Sequence, residues 1–321
     1  MTKRDRAAVL AAPGRVELVT VPQADPGPSE VRVALAGSGV CGSNLPVWEG
    51  RPWFRYPLGP GAPGHEGWGH VDAVGDDVVS PPVGTPVAVL ADGAFAESAV
   101  VAAERVVPLP GRLGDGAFPG EALGCGFNVA ARSDFGPDKT VAVVGVGFLG
   151  AVIVAVAARS GARVIAISRR PFALEVAREM GAAEALAMHD RHRVIAAVGE
   201  LTGGRLCDIV VEAVGAQEPL DLAGHLTRER GRLVIAGFHQ DGPRTVDLQL
   251  WNWRGIDIVN AHERDPQVSL AGIRAAVDAV SAGWLDPAPL CTHAFPLDRL
   301  GDAMDAMVER PPGFLKAVVT T

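Results

Sequence analysis

Aromatic residues and basic charge are scarce in this chain of 321 residues. Phe, Trp and Tyr make up 5% of it, with a single Tyr, so aromatic stacking platforms for single-stranded nucleic acid are not expected. Lys and Arg number 29 against 37 Asp and Glu, which gives a formal net charge of −8. Because no basic run is present either, the sequence argues against a nucleic-acid partner and against an anionic membrane surface.

Cysteine is also sparse. The four cysteines, at 41, 125, 207 and 291, are too widely spread for a disulfide framework, so we expect a cytoplasmic protein whose thiols serve thiolate or metal chemistry. The N-terminal stretch MTKRDRAAVL lacks the apolar core of a signal peptide.

One uncharged run resembles a membrane span. It covers residues 141–158, VAVVGVGFLGAVIVAVAA. Its first half is β-branched and its middle carries three glycines, which favours a buried strand that turns into a buried helix. We therefore expect no membrane segment here.

The pattern of apolar and polar residues along the chain changes near residue 126. The first 110 residues contain short apolar or alternating runs separated by Gly and Pro turns, which predicts a β-rich unit without helices. After residue 126, apolar strands alternate with helical patterns, and a strand at 255–261 closes the series. That alternation predicts an α/β fold with a doubly wound parallel sheet of the Rossmann type.

A glycine-rich loop follows the first strand of this second region. Gly145 allows the tight turn, Gly147 lets the backbone approach a pyrophosphate, and Gly150 permits close contact between helix and strand. Phe148 and Leu149 begin the helix, whose free N–H groups attract phosphate. The loop predicts a dinucleotide site.

The end of the next strand indicates which dinucleotide. An acid that would bind the ribose 2′-hydroxyl of NAD is missing, and Ser168, Arg169 and Arg170 stand there instead. Serine leaves room for a 2′-phosphate, and arginine offers a planar fork to its oxygens. Arginines at a strand end also commonly form a solvated face, but this position favours NADP(H) over NAD(H).

Three stretches carry side chains that commonly bind metals. They are Cys41 in GSGVCGSN, with Ser43 two residues on, His65 and Glu66 in GAPGHEGWGH, and Glu121 and Cys125 in EALGC. Thiolate, imidazole and carboxylate together suit zinc with an open position. A lone cysteine is more often a small buried hydrophobe, and no local spacing links the stretches, so the residues alone leave both interpretations open.

The motifs GVCGSN, GHEGWGHV, LGCGFNVAAR, GVGFLG and LKAVV together resemble the medium-chain zinc-dependent alcohol and polyol dehydrogenase family over nearly the whole chain. The resemblance implies a GroES-like β-rich catalytic domain built from residues 1–125 and 261–321, with a Rossmann domain at 126–260 between them. It also implies a homodimer that pairs through the strand at 255–261, with a homotetramer as the alternative.

The resemblance implies a ligand set for one catalytic zinc. Cys41 and His65 look like the first two ligands, and Glu66 matches a carboxylate that binds zinc directly or exchanges with water. Glu121 and Cys125 compete for the remaining position, with a slight preference for Glu121.

Other positions of the family's site also match. By resemblance, Ser43 is a proton relay and Lys316 lies near the cofactor phosphates. Val214 and Gly237, at strand ends, are expected beside the nicotinamide ribose. Trp53 and Phe54, between the two ligand stretches, are expected in the substrate pocket or else in the core or a lid. A solvated tail is the other interpretation of Lys316.

Three departures from the family pattern change the expectations. Residues 87–101 contain no cysteine, so the lobe that holds a structural zinc is missing and one zinc per chain is the maximum. Asn44 replaces an acid, which weakens the support of His65. Pro46 replaces a relay histidine, so a proton leaving Ser43 must pass to water or to a ribose hydroxyl.

The sequence thus predicts a zinc-dependent oxidoreductase that moves a hydride between NADP(H) and an alcohol, polyol or sugar-type substrate. One alternative is a zinc-free quinone or enoyl reductase of the same superfamily. The other is a non-catalytic NADPH-binding protein.

Overall fold

The computed structural model describes residues 3–321. The chain divides into two compact units, one made of the residues up to Gly124 together with Asp265–Thr321, and the other of Cys125–Arg264. The predicted boundaries, 1–125, 126–260 and 261–321, stay predictions and lie within a few residues of this division.

The unit made of the residues up to Gly124 and Asp265–Thr321 corresponds to the predicted catalytic domain and is called the catalytic unit, and the other is called the Rossmann unit. The first part of the catalytic unit is mostly β structure. Its elements are β1 (Arg4–Ala12), β2 (Arg15–Pro22), β3 (Glu30–Gly39), α1 (Leu45–Trp48), β4 (Glu66–Val74), β5 (Pro86–Val89), β6 (Ser98–Ala102) and β7 (Val106–Pro108). Helix α2 (Gly120–Ala131) begins in this unit and ends in the other. The one-turn helix α1 interrupts the stretch predicted to be free of helices. Pro46 lies in its first turn, where a missing backbone N–H costs nothing.

The Rossmann unit alternates strands and helices. Its elements are β8 (Thr140–Val144), α3 (Phe148–Arg159), β9 (Arg163–Ser168), α4 (Pro171–Glu179), β10 (Glu184–Ala187), α5 (Arg191–Leu201), β11 (Cys207–Glu212), α6 (Gln217–Leu226), β12 (Thr227–Ile235), α7 (Leu248–Arg254) and β13 (Asp257–Asn260). The strands form a parallel sheet in the order β10-β9-β8-β11-β12-β13. The strand order reverses between β8 and β11, and dinucleotides bind at the carboxyl ends of strands at such a switch point. The predicted doubly wound sheet is confirmed, with β13 at its edge.

The apolar run at 141–158 divides as predicted into strand β8 and helix α3. In residues 3–321, every helix is too short or too polar to span a bilayer.

One helix is shorter than its pattern predicts. The pattern of residues 219–231, PLDLAGHLTRERG, predicts one helix, but α6 ends at Leu226 and β12 begins at Thr227. Thr227 pairs with Cys207 on the neighbouring strand, and Arg228 Nε donates to Asp208 Oδ1 at 2.7 Å. These contacts to β11 hold the segment in extended conformation.

The chain then returns to the catalytic unit. The remaining elements are α8 (Pro266–Ser281), β14 (His293–Pro296), α9 (Leu300–Glu309) and β15 (Ala317–Thr320). The sheet order is β14-β15-β3-β4-β5-β7, with β6 also paired to β3. The last strand therefore lies inside the sheet built by the first part of the chain, as the resemblance implies.

Candidate functional site

Three of the predicted metal-binding side chains meet at one end of the β3–β4 pair. The two strands are antiparallel, with Gly39 at the end of β3 opposite Glu66 at the start of β4. Cys41 lies just beyond β3 and His65 just before β4, so the register brings them to the same place. The ligand atoms of Cys41, His65 and Glu66 all lie within 4.8 Å of one another.

The imidazole of His65 is oriented from behind. Its Nδ1 lies 2.9 Å from the carbonyl oxygen of Pro63, so Nδ1–H donates there and Nε2 remains for a ligand. Asn44 Nδ2 donates to the same carbonyl at 3.2 Å, and Asn44 Oδ1 accepts from the N–H of Cys41 at 2.9 Å. A backbone carbonyl thus orients His65, while Asn44 ties the two ligand loops together.

The electrostatics of this cluster favour positive charge. Burial lowers the pKa of His65, but its hydrogen bond with Cys41 and the negative charges of Cys41, Glu121 and Glu66 together raise it to about 10. A proton on His65 therefore occupies a place where the surroundings stabilise a cation.

Glu66 is fully buried and forms an ion pair with Lys316, which is 4% exposed. Lys316 Nζ donates to Oε1 at 2.6 Å and lies 2.5 Å from Oε2, which is outside hydrogen-bond geometry and has no hydrogen-bond partner in the described chain. A Cβ at Gly39 would lie 1.8 Å from Oε2, so only glycine fits beside the carboxylate. The resemblance implied cofactor phosphates as the partner of Lys316, whereas its ammonium lies against Glu66.

The two competing ligands lie on α2, four residues apart and so on one face of the helix. The charge of Glu121 raises the pKa of both His65 and Lys316, which places it close to the cluster. Neither Glu121 nor Cys125 belongs to the group of described side chains whose ligand atoms lie within 4.8 Å of one another. The choice between them stays a prediction.

The predicted relay and pocket residues lie in the same unit. Ser43 is half-buried in the short 3-10 turn Gly42–Asn44 that follows Cys41. The rings of Trp53 and Phe54 are tilted with centroids 6.0 Å apart, and the indole is exposed. The structure tests neither role.

The glycine-rich loop of the Rossmann unit has the geometry that its sequence predicts. Gly145 has φ +98°, which favours glycine. A Cβ at Gly150 would lie 2.0 Å from the carbonyl oxygen of Gly145, whereas one at Gly147 would meet nothing within 4 Å. The first and third glycines are required by the fold, and the second leaves open space beside the start of α3.

The residues at the end of β9 face this loop. Ser168 is buried, and its Oγ accepts from the N–H of Arg170 at 3.3 Å. Arg170 donates through an Nη to the carbonyl oxygen of Val146 at 3.1 Å, which joins the strand end to the glycine-rich loop. Arg169 is exposed.

Val214 and Gly237 follow β11 and β12 at the carboxyl edge of the sheet. Glu212 joins them. No motif in the sequence singles out Glu212, although an acid at the end of the apolar strand CDIVVE is a usable signal. Its Oε1 accepts from the N–H of Val214 at 2.8 Å, and its backbone carbonyl accepts from the N–H of Gly237 at 2.8 Å.

Two family models match the chain. The one described as alcohol dehydrogenase GroES-like domain matches residues 27–111, and the one described as zinc-binding dehydrogenase matches residues 149–272. One unit is β-rich and holds a sulfur–imidazole–carboxylate cluster, and the other has the doubly wound sheet of nucleotide-binding folds. Together these features define a two-domain dehydrogenase. The chain belongs to the medium-chain zinc-dependent alcohol and polyol dehydrogenase family.

Relatives and solved structures agree with this assignment. The chain is 33% identical to 5-exo-hydroxycamphor dehydrogenase of Pseudomonas putida over 280 residues, 72% of this chain and 76% of the relative. It is 26% identical to sorbitol dehydrogenase of Bacillus subtilis over 346 residues, 98% and 96% of the two chains.

The fold matches solved structures with either cofactor. A zinc-binding dehydrogenase of Sinorhizobium meliloti 1021 bound to NADP superposes with a TM-score of 0.83 at 22% identity, covering 99% of this chain and 100% of the other. An alcohol dehydrogenase of Escherichia coli CFT073 complexed with NADH gives 0.84 at 23% identity, covering 99% of each. These likenesses show the fold and leave the choice between NADP and NAD to the residues of this chain.

Proposed function

We propose that this protein is a zinc-dependent oxidoreductase that transfers a hydride between NADP(H) and an alcohol, polyol or sugar-type hydroxyl or carbonyl. The observation that carries the proposal is the convergence of Cys41, His65 and Glu66 within 4.8 Å in the catalytic unit of a family that binds zinc.

The donor set fits one zinc ion. A thiolate, an imidazole whose Nδ1 is held by a backbone carbonyl and a buried carboxylate paired with Lys316 are ligand types that zinc takes. The raised pKa of His65 means that its surroundings already stabilise a cation at this point. We propose Cys41, His65 and Glu66 as ligands, with Glu121 preferred over Cys125 for the remaining position.

Residues of this chain would transfer the proton of the substrate hydroxyl. Bound zinc supplies Lewis acidity towards a substrate oxygen, and the nicotinamide supplies or accepts the hydride. Ser43 Oγ lies two residues from Cys41 and would take the proton from the substrate hydroxyl. Pro46 has no group that accepts it further, so water or a ribose hydroxyl of the cofactor would complete the relay.

We propose NADP(H) as the preferred cofactor. Three observations support the proposal: Ser168 ends β9 without an acid, Arg169 is exposed beside it, and Arg170 is fixed to the glycine-rich loop. Exposed Arg169 would pair with a 2′-phosphate. Gly145, Gly147, Phe148, Leu149 and Gly150 would hold the pyrophosphate.

Val214 and Gly237 would lie beside the nicotinamide ribose. Lys316 is left out of the proposed cofactor site, because its ammonium is buried against Glu66.

We also propose a homodimer that forms through β13, with a homotetramer as the alternative. The strand lies at the sheet edge, Ile258 within it is 44% exposed, and Trp253 on the preceding helix is 84% exposed. Sedimentation analysis of the Ile258→Lys variant tests this, because the variant should dissociate. The cysteines of residues 3–321 form no disulfide, which supports the proposed cytoplasmic location.

Metal analysis of the purified protein tests the proposed function. We expect about one zinc per chain by mass spectrometry and loss of alcohol or carbonyl turnover after chelation. Cys41→Ser should lose the metal and keep NADPH binding, and Cys291→Ser, a matched cysteine variant, should keep both. Turnover of quinones or enoyl substrates without metal would favour the zinc-free reductase. NADPH binding without any turnover would favour the non-catalytic alternative.

A further inference from the structure

A buried carboxylate in the Rossmann unit has no role in the chemistry proposed above. Glu212 ends β11 and is fully buried. Its Oε1 accepts from the backbone N–H groups of Val214 at 2.8 Å and Gly215 at 2.9 Å, and its Oε2 lies 2.8 Å from His239 Nε2. The side chain thus joins the turn after β11 to the segment after β12.

Arg244, the next residue of the network, fixes the tautomer of His239. Arg244 Nε donates to His239 Nδ1 at 3.1 Å. Since a guanidinium only donates, Nδ1 must be the acceptor, and the imidazole hydrogen therefore lies on Nε2 and points to Glu212. The arrangement is an ordered series of carboxylate, imidazole and guanidinium.

Arg244 closes the network on the turn that Glu212 holds. One of its Nη atoms donates to the carbonyl oxygen of Gly215 at 2.8 Å, and the same group pairs with Asp241. Gly215 is thus held at its N–H by Glu212 and at its carbonyl by Arg244. It has φ +84°, and a Cβ there would lie 2.3 Å from the carbonyl oxygen of Phe238, so the turn is tightly constrained.

The constrained turn touches the dinucleotide loop. A Cβ at Gly145 would lie 2.3 Å from Val214 Cγ2, so Val214 packs on the first glycine of that loop. Strands β11, β12 and β13 form the half of the sheet beyond the switch point, opposite the half that carries Ser168. In a dinucleotide fold the second mononucleotide lies on that half.

We infer that Glu212, His239 and Arg244 position the nicotinamide half of the cofactor by fixing Val214 and Gly215 on the glycine-rich loop. The inference rests on the proposed binding of a nicotinamide dinucleotide. These three are positioning residues, because they act through the turn and not on the reacting atoms. Placement of reacting groups within 1 Å decides rates by about two orders of magnitude, which gives such a network a function beyond folding.

The test compares a whole dinucleotide with its adenosine half. His239→Leu and Arg244→Met remove the two links at nearly constant volume, and His192→Leu and Arg193→Met on exposed α5 are matched controls. Calorimetry measures the Kd of NADPH and of adenosine 2′,5′-bisphosphate, which has no nicotinamide. We expect about tenfold weaker NADPH binding in the first pair, unchanged binding of the bisphosphate, and no change in the controls.

A spectroscopic signature separates positioning from folding. The anisotropy of bound NADPH fluorescence reports the nicotinamide ring and should fall in both variants. His239→Gln keeps an N–H donor for Glu212 and should recover part of the NADPH affinity. If His239→Leu does not fold, His239→Gln replaces it in the same binding measurements.

Equal weakening of both ligands, or no weakening of either, would overturn the inference. A wild-type protein that binds NADH instead would be tested with NADH and ADP. If the wild-type protein binds no dinucleotide, the proposed function is refuted together with the inference. If the wild-type protein binds NADPH and the variants bind both ligands equally well or equally poorly, only the inference is refuted.

Discussion

The Lys316–Glu66 pair gives the sharpest stability prediction. In the native protein the ammonium of Lys316 lies 2.6 Å from the fully buried carboxylate of Glu66. Lys316→Met removes that ammonium and leaves the carboxylate buried without an opposite charge beside it. Removing one partner of a buried ion pair costs about 3–5 kcal/mol, because the other charge stays desolvated. In a domain of about 150–250 residues this corresponds to a fall in Tm of roughly 6–20 °C.

The double variant Glu66→Met, Lys316→Met separates the cost of an unpaired charge from the value of the pair. Two apolar side chains of similar volume should restore most of the lost free energy of unfolding. Thermal unfolding of chelator-treated protein measures both variants without metal, and Lys139→Met is the matched control in a half-exposed position.

A loss below about 1 kcal/mol in the single variant would contradict the reasoning, since it would mean that water reaches the carboxylate. So would a double variant as unstable as the single one.

Three further predictions concern the proposed cofactor, the disputed zinc ligand and a buried cysteine. Ser168→Asp with Arg169→Ala should shift the ratio of kcat/KM values from NADP towards NAD, because an acid binds the 2′-hydroxyl and repels a 2′-phosphate; an unchanged ratio would refute the cofactor assignment. Glu121→Ala should lose zinc more readily than Cys125→Ala in metal analysis, and the reverse order would make Cys125 the ligand. Burial raises the pKa of Cys207 to about 12, so at pH 8 it should resist iodoacetamide in the folded protein and react only after unfolding.

Most of the fold could be predicted from local sequence patterns. The uncharged run at 141–158 predicts strand, turn and helix because β-branched residues and glycines are sorted along it. The same logic failed at Thr227, where a helical pattern continues but pairing with Cys207 and the Arg228–Asp208 contact determine a strand. Such contacts lie outside any local window.

The candidate site divides in the same way. Cys41, His65 and Glu66 could be proposed from short motifs, and strand register explains their meeting. The partner of Glu66 could not, because Lys316 lies 250 residues away and a lysine near the end of the sequence looks solvated. The roles of His239 and Arg244 could not be predicted from the sequence either. They follow only from the contacts of His239 with the buried carboxylate of Glu212 and of Arg244 with the carbonyl oxygen of Gly215.

The placement of β15 inside the first sheet has a consequence for biosynthesis. The Rossmann segment, Cys125–Arg264, is contiguous and can close as soon as it leaves the ribosome. The β-rich unit, by contrast, must wait with an open gap beside β3 until Ala317–Thr320 arrives. The same late arrival delivers the ammonium that neutralises Glu66, so the Cys41–His65–Glu66 cluster matures after the Rossmann segment.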